Sequence, residues 1–358
     1  MTKNKREMSQ NIVASFELIT NTISVWKGAK MNRQFTLLFL VISILFTLLG
    51  TCFAADKLPV FVSIVPQKYF VQQIGKDLVD VQAMVLPGAS PATYEPKPKQ
   101  MADISKTKLY YAIGVPFENA WLDKIAAANP DMHVVHTDHG IEKIAMAVHH
   151  HHDEGEHHEQ EEHDHEKDAH HGEEKHDHEK DEHQGEATHD EDHHEHAGLD
   201  PHIWLSPPLV KNQARTILAA LQEADPAHRN VYEANFKSFT AQIDQLDADL
   251  KKTFEGKEGL QFMVFHPAWG YFAHAYGLKQ VPIEIEGKDP KSAQLKKLIQ
   301  HARENGIKVV FVQPQFSSQS AEVVAREIGG QVAFANPLAE DWMANLREVA
   351  DKFQRALK

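Results

Sequence analysis

Short apolar runs bounded by Gly and Pro alternate along the chain with stretches in which apolar residues recur every three or four positions. The run from Leu58 to Ile64 reads as a buried strand, followed by a helix through Tyr69, Phe70 and Ile74 that stops at Gly75. Val79 to Val85 alternates like a second strand, and a Pro-rich loop runs from Leu86 to Pro96. Pro98 to Lys106 predicts a short helix, Leu109 to Ile113 a strand ending at Gly114, Ala120 to Ala128 a helix, and Met132 to His136 a strand. Strands alternating with helices predict a parallel sheet covered on both faces, with ligands at the carboxyl ends of its strands.

Further on, Ser206 is the expected N-cap of a helix that begins at Pro207-Pro208 and reaches Glu223. Asp225-Pro226 opens a longer one, in which Tyr232, Phe236, Phe239, Ile243, Leu246 and Leu250 keep helical spacing. At 1.5 Å per residue its roughly 30 residues would extend ~45 Å, enough to join two lobes. A second α/β pattern follows. Its expected strands are Phe262 to Phe265, Gln280 to Ile285, Val309 to Val312 and Val332 to Ala335. Its expected helices pass through Phe272 and Tyr276, from Ala293 to Asn305, from Ala321 to Ile328, and from Trp342 to Leu357. The fold class is therefore α/β, with two lobes of parallel sheet flanked by helices and joined by one long rigid helix. The expected divisions are a leader over 1–55, a first lobe over 56–225, the joining helix over 226–256 and a second lobe over 257–358.

The leader changes the cellular picture. Met31-Asn32-Arg33 precedes an uncharged, mostly apolar run from Phe35 to Leu49 and small residues at Ala54-Ala55. This is the pattern of a secretory signal, with Met31 the expected start and cleavage after Ala54 or Ala55. The run is short of the ~20 residues of a comfortable membrane span. Lipid anchoring at Cys52 is a weaker alternative, because Thr51 fits that processing site poorly. The single Cys of the chain lies in this removable piece, so the mature protein is expected to have no disulfide. A periplasm permits that.

Charge and chemistry concentrate in one insertion. The stretch 148–197 holds 17 of the 25 histidines, and its 20 Asp and Glu against 3 Lys give it a net charge of −17, compared with −14 for the whole chain. So few apolar side chains cannot offset the entropy of ordering, and a solvated, disordered loop is expected. Imidazoles interspersed with carboxylates suit the capture of zinc and similar ions through interchangeable arrangements. Nucleic acid is excluded as a partner, since the loop repels phosphate and the remaining charge nearly cancels.

An ordered set of motifs then carries a resemblance. Pro87-Gly88-Ala89-Ser90-Pro91 with Tyr94-Glu95-Pro96 comes first, then the His-rich loop and Asp200-Pro201-His202-Ile203-Trp204. Phe265-His266, Gly270-Tyr271-Phe272, Tyr276-Gly277-Leu278, Pro314-Gln315 and Pro337-Leu338 follow. Over nearly all of the mature chain this resembles the zinc and manganese substrate-binding proteins of ABC uptake transporters, in particular the zinc-uptake type with a His-rich loop. The resemblance implies a metal in the cleft between the lobes, delivery to a membrane permease, a periplasmic location and no catalytic cofactor. Zn2+ is then cargo. A monomer is expected.

Carried over residue by residue, the resemblance sets two of the family's ligand histidines at His202 and His266. Its first histidine falls at Ala92, which has no donor, and its late acidic position falls at Asn336. Zinc takes about four ligands, typically three from protein in an open site. Glu286 is the expected third ligand, at a strand end with Glu284 two residues away on the same face. Glu284, Glu95 with Tyr94, His136 and His139 are further candidates, and a histidine of the loop is another. Imidazole with one carboxylate suits zinc, and also nickel, cobalt or copper, while an oxygen-rich set would suit manganese.

Three readings compete. A binding protein takes up the ion and docks on a permease. A zinc hydrolase would use His202, His266 and Glu286 around a metal-bound water, but no HExxH-type motif is present. A metal buffer or chaperone would act through the His-rich loop alone. Attachment to surfaces, known among broader relatives, has no specific motif here.

Overall fold

The computed structural model describes residues 57–147, 198–285 and 287–357. The leader, the His-rich loop and Glu286 lie outside the described residues. Strand β1 (Leu58–Val62), helix α1 (Val65–Gly75), β2 (Val79–Ala83), α2 (Pro98–Ile104), β3 (Leu109–Ala112), α3 (Pro116–Ala128) and β4 (His133–His136) form the first lobe's sheet and its crossovers. Helix α4 (Pro207–Ala224) and the long α5 (Arg229–Phe254) follow. The second lobe contains β5 (Gln261–Val264), α6 (Gly270–Ala275), β6 (Lys279–Pro282), α7 (Ser292–Glu304), β7 (Val309–Val312), α8 (Gln319–Glu327), β8 (Gln331–Phe334) and α9 (Trp342–Ala356).

The two sheets are topological twins, ordered β2-β1-β3-β4 and β6-β5-β7-β8, with all their strands parallel. In each, the chain starts in the interior, goes to one edge and then crosses back, so the order reverses between β1 and β3 and between β5 and β7. Crevices outside the carboxyl ends at such reversal points are where open α/β sheets hold ligands. Strand β3 is buried at all four positions, as expected of a strand covered on both faces.

Helix α5 has 26 residues, about 39 Å of α-helix. It is shorter than the sequence spacing suggested, because Pro226–His228 form a separate 3-10 turn before it. Its inward stripe of Tyr232, Phe239, Ile243, Leu246, Leu250 and Phe254 is buried. Phe239 meets Tyr69 and Phe70 of the first lobe at 6.1 Å between ring centroids. Phe254 meets Phe272 and Tyr276 of the second at 5.7 and 5.9 Å. One helix thus packs into both halves, within a core cluster that runs through both.

Other contacts stitch the lobes nearer the cleft. The Trp204 indole N–H donates to the carbonyl of Pro337 at 2.7 Å, and the Trp342 indole N–H donates to the carbonyl of Trp204 at 2.7 Å. The Tyr271 hydroxyl donates to the Asp200 carbonyl at 2.9 Å and accepts from the N–H of Ile144 at 3.1 Å. Ala145 and Leu199, at the two edges of the undescribed insertion, form an antiparallel bridge.

Several element ends differ from the sequence reading. Helix α3 begins at Pro116 instead of Ala120, since Pro in the first turn loses no helical hydrogen bond. Strand β6 ends at Pro282 instead of Ile285, and the chain bends there so that Ile283 and Glu284 turn inward. Ser206 takes the cap position of α4 in extended conformation, without a side-chain cap bond.

Candidate metal centre

A small cavity of about 60 Å³ lies between the lobes, room for a few water-sized groups. The first lobe's loops contribute Ser90, Pro91, Ala92, Val115 and Pro116, and the segment leading to α4 contributes Pro201, His202 and Trp204. The second lobe contributes His266, just past β5, Gln315 and Phe316, just past β7, and Pro337 and Leu338. The walls are largely apolar, so the few donor atoms on them determine what the cavity can hold.

The two histidines are held by the same device. Asp200 Oδ1 accepts from the His202 backbone N–H at 2.9 Å and lies 2.7 Å from its Nδ1. Glu284 Oε1 lies 2.7 Å from Nδ1 of His266. A carboxylate on Nδ1 fixes the tautomer with the proton there, so each ring's lone pair is left on Nε2, and the carboxylate makes that nitrogen a stronger donor. Asp200 and Glu284 are themselves buried. The rings of His202 and His266 lie 5.2 Å apart at 70°.

Each ring is braced further. His202 packs on Trp204 at 5.1 Å, and His266 stacks on Phe316 at 4.7 Å and 25°. Gln313, buried, clamps the His266 backbone from both sides: its Oε1 accepts from the N–H at 3.2 Å and its Nε2 donates to the carbonyl at 2.6 Å. Burial holds His202 below the ordinary histidine pKa of 6.5, against the opposing pull of Asp200. A neutral imidazole is what a metal ion needs.

Gly270 permits this arrangement on the side away from the cavity. A Cβ at that position would lie 2.6 Å from Asp200 Oδ2, so a larger residue would push the carboxylate off His202.

The other expected site residues are placed differently. Glu284 Oε1 is the hydrogen-bond partner of His266 Nδ1, and Glu284 does not line the cavity. Ala92, where the resemblance sets the family's first histidine, does line the cavity. Glu95, His136 and His139 are exposed and do not line it. His136 Nδ1 lies 3.8 Å from Asp138 instead. Glu286 lies outside the described residues. Among the described residues, no group of three or more His, Cys, Asp or Glu side chains is placed to hold an ion together. Sequence reasoning named neither Asp200 nor Gln313 as a functional residue. Asp200 carries a usable local signal, because an Asp two residues before a His commonly folds its side chain onto that residue's N–H.

Residues 60–356 match the family model of the zinc-uptake complex component A, periplasmic. The chain belongs to this family. The high-affinity zinc uptake system protein ZnuA of Bacillus subtilis (strain 168) is 32% identical over 287 residues, 79% of either chain. A crystal structure of ZnuA aligns with a TM-score of 0.70 and 39% identity, covering 85% of this chain and 100% of that one. A ZnuA deletion mutant with zinc bound aligns at 0.69 and 38%, covering 85% and 99%. The ZnuA family consists of solute-binding proteins. Among the described residues of this member, no helix is long and apolar enough to cross a membrane.

Proposed function

We propose that this ZnuA-family protein binds one zinc ion between Nε2 of His202 and Nε2 of His266 in the periplasm and passes it to an ABC permease. The observation that carries the reading is the paired carboxylate–imidazole arrangement, Asp200 on one ring and Glu284 on the other, with the two rings 5.2 Å apart across the lobes. Histidines packed only for stability need no buried carboxylate on each Nδ1, whereas ligating histidines almost always donate that N–H to a carboxylate, a backbone carbonyl or water.

Zinc is favoured over manganese because the donors facing the cavity are imidazoles, while both carboxylates are engaged behind them. Relatives named for zinc uptake support the same choice. Glu286 is retained as a candidate oxygen ligand. The protein acts as a monomeric binder without turnover. The His-rich stretch 148–197 gathers ions for the cleft, and the cleft itself is the tight site.

Native mass spectrometry of the mature chain lacking 148–197, with metal analysis, tests this. The expected result is one zinc retained, lost on His202→Ala and weakened on Glu286→Ala. A chain that retains no zinc without its His-rich stretch would make that stretch the functional element and the lobes a scaffold. Hydrolase assays with and without zinc should show no turnover.

A further inference from the structure

Two imidazoles leave zinc short of donors, and Ala92 adds none. An unassigned group on the same cavity wall is Gln315. It follows β7 as His266 follows β5, so the two residues flank the reversal point of the second sheet.

The orientation of its amide is fixed by neighbours. Asn336 Oδ1 accepts the backbone N–H of Leu338 at 3.0 Å. A backbone N–H can only donate, so the group Asn336 presents there is its oxygen. Gln315 meets that same oxygen at 3.1 Å and must do so with its amide Nε2, which donates. Its Oε1 then faces the other way, buried and with no hydrogen-bond partner among the described residues. A buried carbonyl oxygen without a donor is unfavourable unless a cation or donor group meets it.

We infer that Gln315 Oε1 is a third protein donor to the ion held by His202 and His266. This rests on the proposed role of those two histidines. The inner ligand set is then two imidazole nitrogens and one amide oxygen, all neutral, and the charge of the ion is balanced through the rings by Asp200 and Glu284. An amide oxygen binds zinc and cobalt less tightly than a third imidazole would. Such a set favours a site that releases its ion readily to a permease. Asn336 contributes indirectly, as the anchor that aims the amide.

Titration of the full-length chain with Co2+, against a competing chelator that suppresses the weaker His-rich sites, reads this from the visible absorption of the first equivalent. Gln315→Met keeps the side-chain length and removes the oxygen. The expected result is a shifted d–d band and cobalt binding weakened about tenfold or more, since losing a direct donor costs at least what losing an outer-shell partner does. Gln315→Glu in an Asn336→Ala background, where no oxygen opposes the new carboxylate, is expected to bind at least as tightly as Asn336→Ala alone. An unchanged band and affinity in Gln315→Met, with binding lost in His202→Ala, would overturn the inference and leave the histidine reading intact. Binding unaffected by His202→Ala would overturn both. If circular dichroism shows Gln315→Met unfolded, the pair in the Asn336→Ala background decides: weaker binding on adding Gln315→Glu to Asn336→Ala would mean that Gln315 is not a donor.

Discussion

The imidazoles of His202 and His266 meet edge to face with 5.2 Å between their centroids, one from the segment before α4 and the other from the end of β5. Neither lobe alone supplies both nitrogens. Replacing either ring should therefore remove the site without unfolding the lobe that carried it. His202→Ala and His266→Ala are each expected to weaken zinc binding by more than about 100-fold, beyond the range for loss of a supporting group. Competition against a chromophoric chelator measures this, and circular dichroism checks the fold.

The carboxylates behind the rings lead to a graded prediction. Asp200→Asn and Glu284→Gln preserve shape and lose charge, and each is expected to weaken zinc binding roughly 10- to 100-fold. Gly270→Ala should act in the same direction, since the added Cβ would lie 2.6 Å from Asp200 Oδ2. Isothermal titration of the three variants is the check. Affinities equal to the parent's would make the carboxylates packing groups only.

The contrast between these groups shows what a sequence makes legible. Alternating apolar runs and helical spacings identified both sheets and the joining helix, because burial on two faces leaves a long, redundant pattern. The histidines stood out through their motifs. Glu284 did not reveal its role, since what turns it inward is the bend after Pro282, and its partner His266 lies past the end of another strand. Gln315 is harder still. The direction of its amide depends on Leu338 through Asn336, a chain of contacts with no local signature.

Glu118 predicts a pH effect on stability. Burial pushes its carboxyl above the ordinary 4.5, only partly offset by hydrogen bonds from Ser63 and the N–H groups of Ile113 and Gly114. The folded protein thus holds this proton more tightly than the unfolded chain. Its stabilising share is complete below about 4.5 and declines as pH rises through the raised folded value. Denaturant unfolding of the parent and of Glu118→Gln across that range should show the parent's relative stability falling as pH increases. A difference independent of pH would refute the shift. Because the same carboxylate anchors the start of the loop bearing Val115 and Pro116, the variant also tests how firmly that wall of the cavity is held.

The stitch at Trp204 should be measurable too. Trp204→Phe removes the donor to the Pro337 carbonyl and leaves a buried acceptor without its partner. A loss of about 1–3 kcal/mol is expected from that group alone. Urea unfolding of the metal-free protein gives the value. Because Pro337 also lines the cavity, zinc binding should weaken along with stability. Stability equal to the parent's would show that the Trp204–Pro337 bond adds nothing to the hold between the lobes.

The direct test of the whole account is diffraction from zinc-loaded crystals recorded on both sides of the zinc absorption edge. A single strong anomalous peak bonded to Nε2 of both His202 and His266, at about 2.0–2.1 Å, is the predicted result. A peak bonded to one ring only, or zinc confined to the 148–197 stretch with the cleft histidines unligated, would contradict it.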